Sequence, residues 1–280
     1  MFDLVVYGGP VPTYLIEGIQ SALQPAEVKP QGMQAVRFTG ITTQSVPESL
    51  CQSLNNEQLD WGMVPTGRTI SDFKLVVFDM DSTLINIECI DEIADAVGKK
   101  KEVSEITEAA MRGEIKDFSE SLFRRVALLK GVPENALQKI YTERLILNQG
   151  ARELIAGAHA KGIHTLLVSG GFTFFTQKLQ AELHLSETHA NQLEIIDGVL
   201  TGQVLGNIVD GSAKAAYVEA RCLALGSNKH AAITMGDGSN DLLMMSGSGL
   251  SIAYRAKPIV KEKADLAFDF VGLDAWLDLL

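Results

Sequence analysis

The spacing of apolar positions changes several times along this chain, and each change predicts a different element. Asp3 to Tyr7 is a short strand-like run, and Tyr14 to Leu23 sets Leu15, Ile19 and Leu23 at helical intervals with one buried face. A second strand-like run covers Met33 to Phe38, a helix with Pro47 in its first turn carries Leu50 and Leu54, and Leu59 to Val64 predicts a third strand. Pro65-Thr66-Gly67-Arg68-Thr69 is turn chemistry, so it marks a boundary and sets apart a small α+β unit over residues 1–70.

Beyond Lys74 the pattern becomes one of short, apolar runs, each closed by a polar cluster. Leu75-Val76-Val77-Phe78 ends in Asp79, Thr165-Leu166-Leu167-Val168 in Ser169-Gly170-Gly171, and Ala231 to Met235 in Gly236-Asp237-Gly238. Runs of this kind suit parallel strands buried on both faces, with helices as crossovers. The predicted fold over residues 71–280 is α/β, a doubly wound Rossmann-like parallel sheet. Such sheets bind ligands beyond the carboxyl ends of their strands, where all three clusters fall. Helical periodicity fills Glu88–Val97, Val103–Met111, Asp117–Lys130, Pro133–Ile146 and Arg152–Lys161. One crossover needs only about a dozen residues. The surplus therefore predicts a helical cap inserted at 87–149, hinged near Asn86 and Gln149-Gly150. A hairpin is expected over Leu193 to Val204, turning at Asp197-Gly198.

With 46% hydrophobic residues the chain is too apolar to stay disordered, and 24 basic against 35 acidic side chains give a net charge of -11, which argues against a nucleic-acid partner. That balance is global and leaves one pocket free to bind an anion. Cys51, Cys89 and Cys222 have no metal-like spacing, and no signal segment or long apolar run is present. The expectation is a soluble cytoplasmic protein without a membrane partner; a homodimer is compatible with it.

Four clusters carry candidate chemistry. Asp79-Met80-Asp81 sets two carboxylates where they can converge on a divalent cation such as Mg²⁺, one as nucleophile and the other handling a proton; taken alone it is equally a solvated turn. Gly236-Asp237-Gly238-Ser239-Asn240-Asp241 lets backbone approach an ion or phosphate, or is an ordinary helix start. Ser169-Gly170-Gly171 offers a hydroxyl and N–H groups to an anion, or is a glycine-rich turn. Lys214 alone is a surface lysine.

The joint order of these clusters resembles the four motifs of the haloacid dehalogenase-like hydrolases over residues 74–270. Phe78 to Thr83, Glu88, Met111-Arg112-Gly113, Ser121-Leu122 with Arg125-Val126, Val168 to Phe172, Gly236 to Asp241 and Ile252 to Pro258 are similar to the phosphoserine phosphatase family within them. The resemblance implies hydrolysis of O-phospho-L-serine to serine and phosphate, the last step of serine biosynthesis. Asp79 would be the nucleophile and Asp81 the acid and base. Mg²⁺ would be held by Asp79, the Asp81 carbonyl and Asp237, with Asp241 as ligand or support. Ser169, the Gly170 N–H, Lys214 and Asn240 would hold the phosphoryl group. Glu88 would take the substrate ammonium and Arg125, rather than Arg124, its carboxylate. Met111 and Phe118 resemble the pocket's apolar lining. Met111 to Phe118 is one residue longer here, Lys116 or Asp117 reading as an insertion, while Phe118 keeps its spacing to Arg125. The rival readings are a related enzyme acting on another small phosphomonoester and a regulatory amino-acid-binding protein with a vestigial site. Residues 1–70 resemble, without a specific motif, the small ligand-binding domains ahead of amino-acid-biosynthetic enzymes.

Overall fold

Leu75 and Val77 pack against one apolar layer and Val76 and Phe78 against another, the alternation of a strand with core on both faces. This arrangement comes from a computed structural model, which describes residues 1–31, 34–111, 114–115 and 117–279, without the side chains of Met111 and Leu279. The N-terminal unit runs β1 (Phe2–Tyr7), α1 (Thr13–Leu23), β2 (Glu27–Gln31), β3 (Ala35–Ile41), α2 (Glu48–Asn56) and β4 (Asp60–Pro65). The strand order β2-β3-β1-β4 is a split β-α-β arrangement with its own core of Leu4, Val6, Leu15, Ile19 and Phe38. Met33, expected to open the strand now seen as β3, lies outside the described residues.

The remainder begins at β5 (Leu75–Phe78) and continues through α3 (Cys89–Asp95), α4 (Lys100–Met111), α5 (Phe118–Ala127), α6 (Glu134–Glu143) and α7 (Ala151–Ala160) to β6 (His164–Phe172). Then follow α8 (Thr173–Leu183), β7 (Glu187–Ile196), β8 (Val199–Leu205), α9 (Gly211–Ala224), β9 (Ala232–Gly236), α10 (Leu242–Met245), β10 (Leu250–Tyr254), α11 (Pro258–Lys263), β11 (Leu266–Phe268) and α12 (Trp276–Leu279). Strands β11-β10-β9-β5-β6-β7 are parallel neighbours, so the chain winds outward from β5 first one way and then the other. That reversal makes the crevice beyond β5 and β9 the expected ligand position. The α/β doubly wound expectation is met. Helices α3 to α6 leave and rejoin the core where Ile85 bridges Leu147 and the Asn86 N–H meets the Ile146 carbonyl at 3.0 Å. The predicted hairpin is β7–β8, with Asp197 (φ 51°) and Gly198 (φ 74°) both left-handed, as a tight two-residue turn requires.

Three strands escaped the hydrophobic pattern. β2 is a polar edge strand containing Pro30, β11 spans too few residues to show a period, and β10 lies in a stretch read only for its motif. β11 has a consequence that local sequence could not reveal, because it pairs antiparallel with β4 and fuses the N-terminal sheet to the catalytic one, giving eleven strands among the described residues. The two backbones approach closely at Gly62, where an added Cβ would lie 2.8 Å from the Asp265 carbonyl oxygen.

Asp60 secures this junction. Its buried carboxylate accepts the N–H groups of Asp269 (3.0 Å), Phe270 (2.8 Å) and Val271 (3.0 Å), and burial still raises its pKa. The same C-terminal segment continues to Leu273, whose N–H meets the Gln149 carbonyl at 2.8 Å. Asp60→Ala leaves these part-buried donors without their acceptor, and we expect a loss of about 1–2 kcal/mol in denaturant unfolding. An unchanged midpoint would refute this role for the carboxylate.

Candidate active site

At the end of β5 the chain leaves the sheet through Asp79 (φ -71°, ψ 163°) into one wide turn, Met80–Leu84, closed by the Ile85 N–H on the Met80 carbonyl at 3.0 Å. Ser82 is held at φ 58° within it. Asn148, next to the Leu147 bridge, donates to the carbonyls of Thr83 (2.8 Å) and Ile85 (3.1 Å) and so clamps the turn from outside. The two carboxylates of Asp79 and Asp81 are thereby placed by backbone rather than by each other.

Lys214 projects from the first turn of α9, a helix capped by Asp210, whose carboxylate accepts the Ala213 N–H at 2.8 Å. Its ammonium is 1% exposed, so it is no surface lysine, and it lies 2.8 Å from both Asp79 Oδ1 and Asp241 Oδ1. Burial alone would push this ammonium's pKa down; Asp241 and Asp79 outweigh that and hold it above its ordinary range. Asp241 is wholly buried, and its other oxygen accepts the N–H groups of Asp237 (3.2 Å) and Gly238 (3.1 Å). The Gly236–Asp241 loop is thus both a well-bonded turn and part of the charged cluster.

Three carboxylates gather here, Asp79 and Asp241 paired with Lys214 and Asp237 under the charges of Lys257 and Lys214. Oxygens of Asp79, Asp237 and Asp241 lie within 4.8 Å of one another. Burial first, and then the neighbouring carboxylates Asp241 and Glu88, push Asp237 up to about 7. Asp79 is likewise raised by burial against the pull of Lys214. Asp81 is raised to about 7 by burial and by the Glu88 charge, although its Oδ1 accepts the Cys89 N–H at 3.2 Å. Such a cluster has a deficit of positive charge and an all-oxygen donor set, which fits a hard divalent cation.

Ser169, Gly170 and Gly171 differ from the sequence expectation. They are not a turn after the strand, because β6 runs on to Phe172 and only its pairing with β7 breaks between Val168 and Phe172. Ser169 Oγ accepts the Gly171 N–H at 2.8 Å, leaving its own proton to donate elsewhere. Asn240 donates to Asp241 Oδ1 at 3.3 Å.

Asp79, Asp81, Ser169 to Gly171, Asp237 and Asn240 line one cleft of about 740 Å³ together with Glu88, Asp91, Phe118 and Arg125, whereas Lys214 and Asp241 are buried and do not line it. Glu88 opens to the cleft and accepts from Ser82 Oγ at 2.7 Å; burial raises its carboxyl. Arg125 is half-buried in the cleft, whereas Arg124 pairs with Glu120 on the outer helix face, which separates the two candidates. Phe118 lies over Gly170, since an added Cβ there would meet its Cζ at 3.1 Å. The side chain of Met111 and residues Arg112, Gly113 and Lys116 lie outside the described residues. Asp91, Lys257 and Asn148 were missed. Asp91 follows Glu88 by one helical turn, Lys257 sits in the family-like stretch Ile252 to Pro258, and Asn148 had no local signal.

Residues 76–246 match the family model for haloacid dehalogenase-like hydrolase. A phosphoserine phosphatase of Polaromonas is 54% identical over 215 residues, covering 75% of this chain and 91% of its own. The chain belongs to the phosphoserine phosphatase family of the haloacid dehalogenase-like hydrolases. Two solved structures share the family's fold over nearly the whole chain. A HAD family hydrolase of Salmonella enterica serovar Typhi superposes with TM-score 0.87 at 29% identity, covering 100% of this chain and 98% of its own. The unliganded probable phosphoserine phosphatase of Vibrio cholerae gives 0.82 at 35% identity, covering 99% and 86%. Among the described residues no helix is long and apolar enough to cross a membrane.

An added Cβ at Gly171 would lie 2.8 Å from Asp81 Oδ2 and 3.0 Å from Ser169 Oγ. Gly171→Ala should therefore cut hydrolytic turnover by about 100-fold through misplacement of these groups while the circular dichroism spectrum is retained. Full turnover in a folded variant would show that the close approach is not required.

Proposed function

We propose that this protein hydrolyses O-phospho-L-serine to L-serine and inorganic phosphate in the cytoplasm, through an aspartyl-phosphate on Asp79. The observation that carries the reading is one cleft lined by Asp79, Asp81, Ser169, Asp237 and Asn240 from the strand ends and by Glu88 and Arg125 from the cap. A phosphorylated amino acid has a phosphate, an ammonium and a carboxylate, and this cleft has a complement for each. Glu88 takes the ammonium, and Arg125 takes the carboxylate with its planar fork. Residues 1–70 form a separate unit, and 87–149 form the cap that closes over substrate.

In the first step an Asp79 oxygen attacks phosphorus while the serine oxygen departs with a proton from Asp81. A carboxyl group raised to about 7 can hold that proton near neutrality, which an ordinary aspartate cannot. In the second step water attacks the same phosphorus, its proton passes to Asp81, and the Asp79 carboxylate is released with phosphate. Ser169, the Gly170 N–H, Asn240 and Lys214 hold the equatorial oxygens. Lys214, 2.8 Å from Asp79, favours its ionised form against the effect of burial. Asp79, Asp237 and the Asp81 backbone carbonyl would hold Mg²⁺, with Asp241 beside them as ligand or support. When bound, the cation screens these carboxylates from the anionic substrate and stabilises charge on the phosphoryl group.

A phosphomonoester panel assayed with and without Mg²⁺ tests the assignment, phosphoserine being expected to stand out. Arg125→Ala should raise the KM for phosphoserine by about 100-fold and change that for an aryl phosphate little, since only the former has a carboxylate to lose. Equal effects on both substrates would sink the clamp. Asp79→Asn should abolish turnover and leave the melting temperature within a few degrees of the parent; residual turnover above about 1% would remove Asp79 from the nucleophile's place.

A further inference from the structure

Asn191 is wholly buried on β7, beside the active site yet not lining it. Strands β6 and β7 run in register as far as Val168 opposite His189 and regain it at Phe172 opposite Asn191. Four steps on β6 therefore face two on β7, and Ser169, Gly170 and Gly171 bulge out of the ladder. A bulge deprives backbone groups of their strand partners, and in a buried place each must find another.

Asn191 supplies one. Its Nδ2 donates to the Gly170 carbonyl at 2.8 Å, while its Oδ1 accepts the Val209 N–H, also at 2.8 Å. Val209 immediately precedes Asp210, the residue that caps α9 and accepts the Lys214 N–H on its carbonyl at 2.9 Å. One amide therefore spans from the strand end bearing Ser169 and Gly170 to the helix start bearing Lys214. The side chain must donate at one end and accept at the other. Aspartate would set an oxygen against the Gly170 carbonyl, and leucine would leave both backbone groups unpaired.

We propose that Asn191 is a positioning residue, whose amide fixes the Gly170 strand end against the Lys214 helix so that the phosphoryl-binding groups are assembled before substrate arrives. This rests on the reading that Ser169, Gly170 and Lys214 hold the phosphoryl group. Glu88 and Arg125 hang from the cap and do not depend on this strap, so the two halves of the substrate should respond differently to its loss.

The test compares inorganic phosphate and L-serine as separate ligands of the Mg²⁺-loaded full chain, by calorimetry, in Asn191→Asp and Asn191→Leu. Phosphate affinity should fall by about tenfold or more while L-serine affinity stays within about twofold, and kcat for phosphoserine should fall further than KM rises. The ratio of the two affinities is taken within one sample, so partial unfolding does not move it. Asn191→Ser, a smaller polar variant that cannot span the gap, serves if the first two do not fold, with the same split expected. Equal weakening of both ligands, or undiminished phosphate binding in a folded variant, overturns the proposal. Phosphate binding is read without turnover, so an enzyme that fails to hydrolyse phosphoserine would sink the functional reading and leave this measurement standing.

Discussion

A single buried ammonium, Lys214, held 2.8 Å from two carboxylates, is the interaction on which the catalytic half depends. An unpaired lysine could not remain charged at such depth, and two carboxylates this close together would repel each other without it. Asp241 passes the constraint on, because its second oxygen holds the N–H groups of Asp237 and Gly238. The ends of β5 and β9 and the start of α9 are thus fixed to one point by charge. What remains is a surplus of negative charge facing the cleft, and the cluster's chemistry follows from that surplus.

Around this fixed point the substrate-facing parts differ in how firmly they are held. The Asp79–Leu84 turn is braced by Asn148, and the Ser169–Gly171 bulge is braced by a side chain from the next strand. Glu88 and Arg125 belong instead to the helical segment between Ile85 and Leu147, which is joined to the core by that pairing and to β8 by the hydrogen bonds of Gly131 and Val132 with Leu200.

The N-terminal unit is tied to this machinery more closely than its separate core suggests. Its β4 pairs with β11, Asp60 holds the N–H groups of residues 269–271, and the same segment reaches the Gln149 carbonyl. Backbone and side-chain hydrogen bonds therefore link the small unit to the stretch that follows Leu147.

Much of the fold could be read along the chain because apolar runs such as Leu75 to Phe78 are buried on both faces, and helices such as Tyr14 to Leu23 bury one stripe. The joint order of Asp79, Ser169, Lys214 and Asp237 likewise points to the family from sequence alone. These are local signals, in which a residue's neighbours in sequence decide its environment. The depth of Lys214, the bulge at Gly170, the place of Asn191 and the pairing of β4 with β11 are of another kind. Each depends on a partner far along the chain, and no period or spacing records it; Asn191 between Leu193 and the polar run before it reads as an unremarked strand residue until Gly170 and Val209 are brought to its two ends. Residue types and their order thus sufficed to name the chemistry, while the distances and burial that let those residues share one charge balance arose only when the strands were laid side by side.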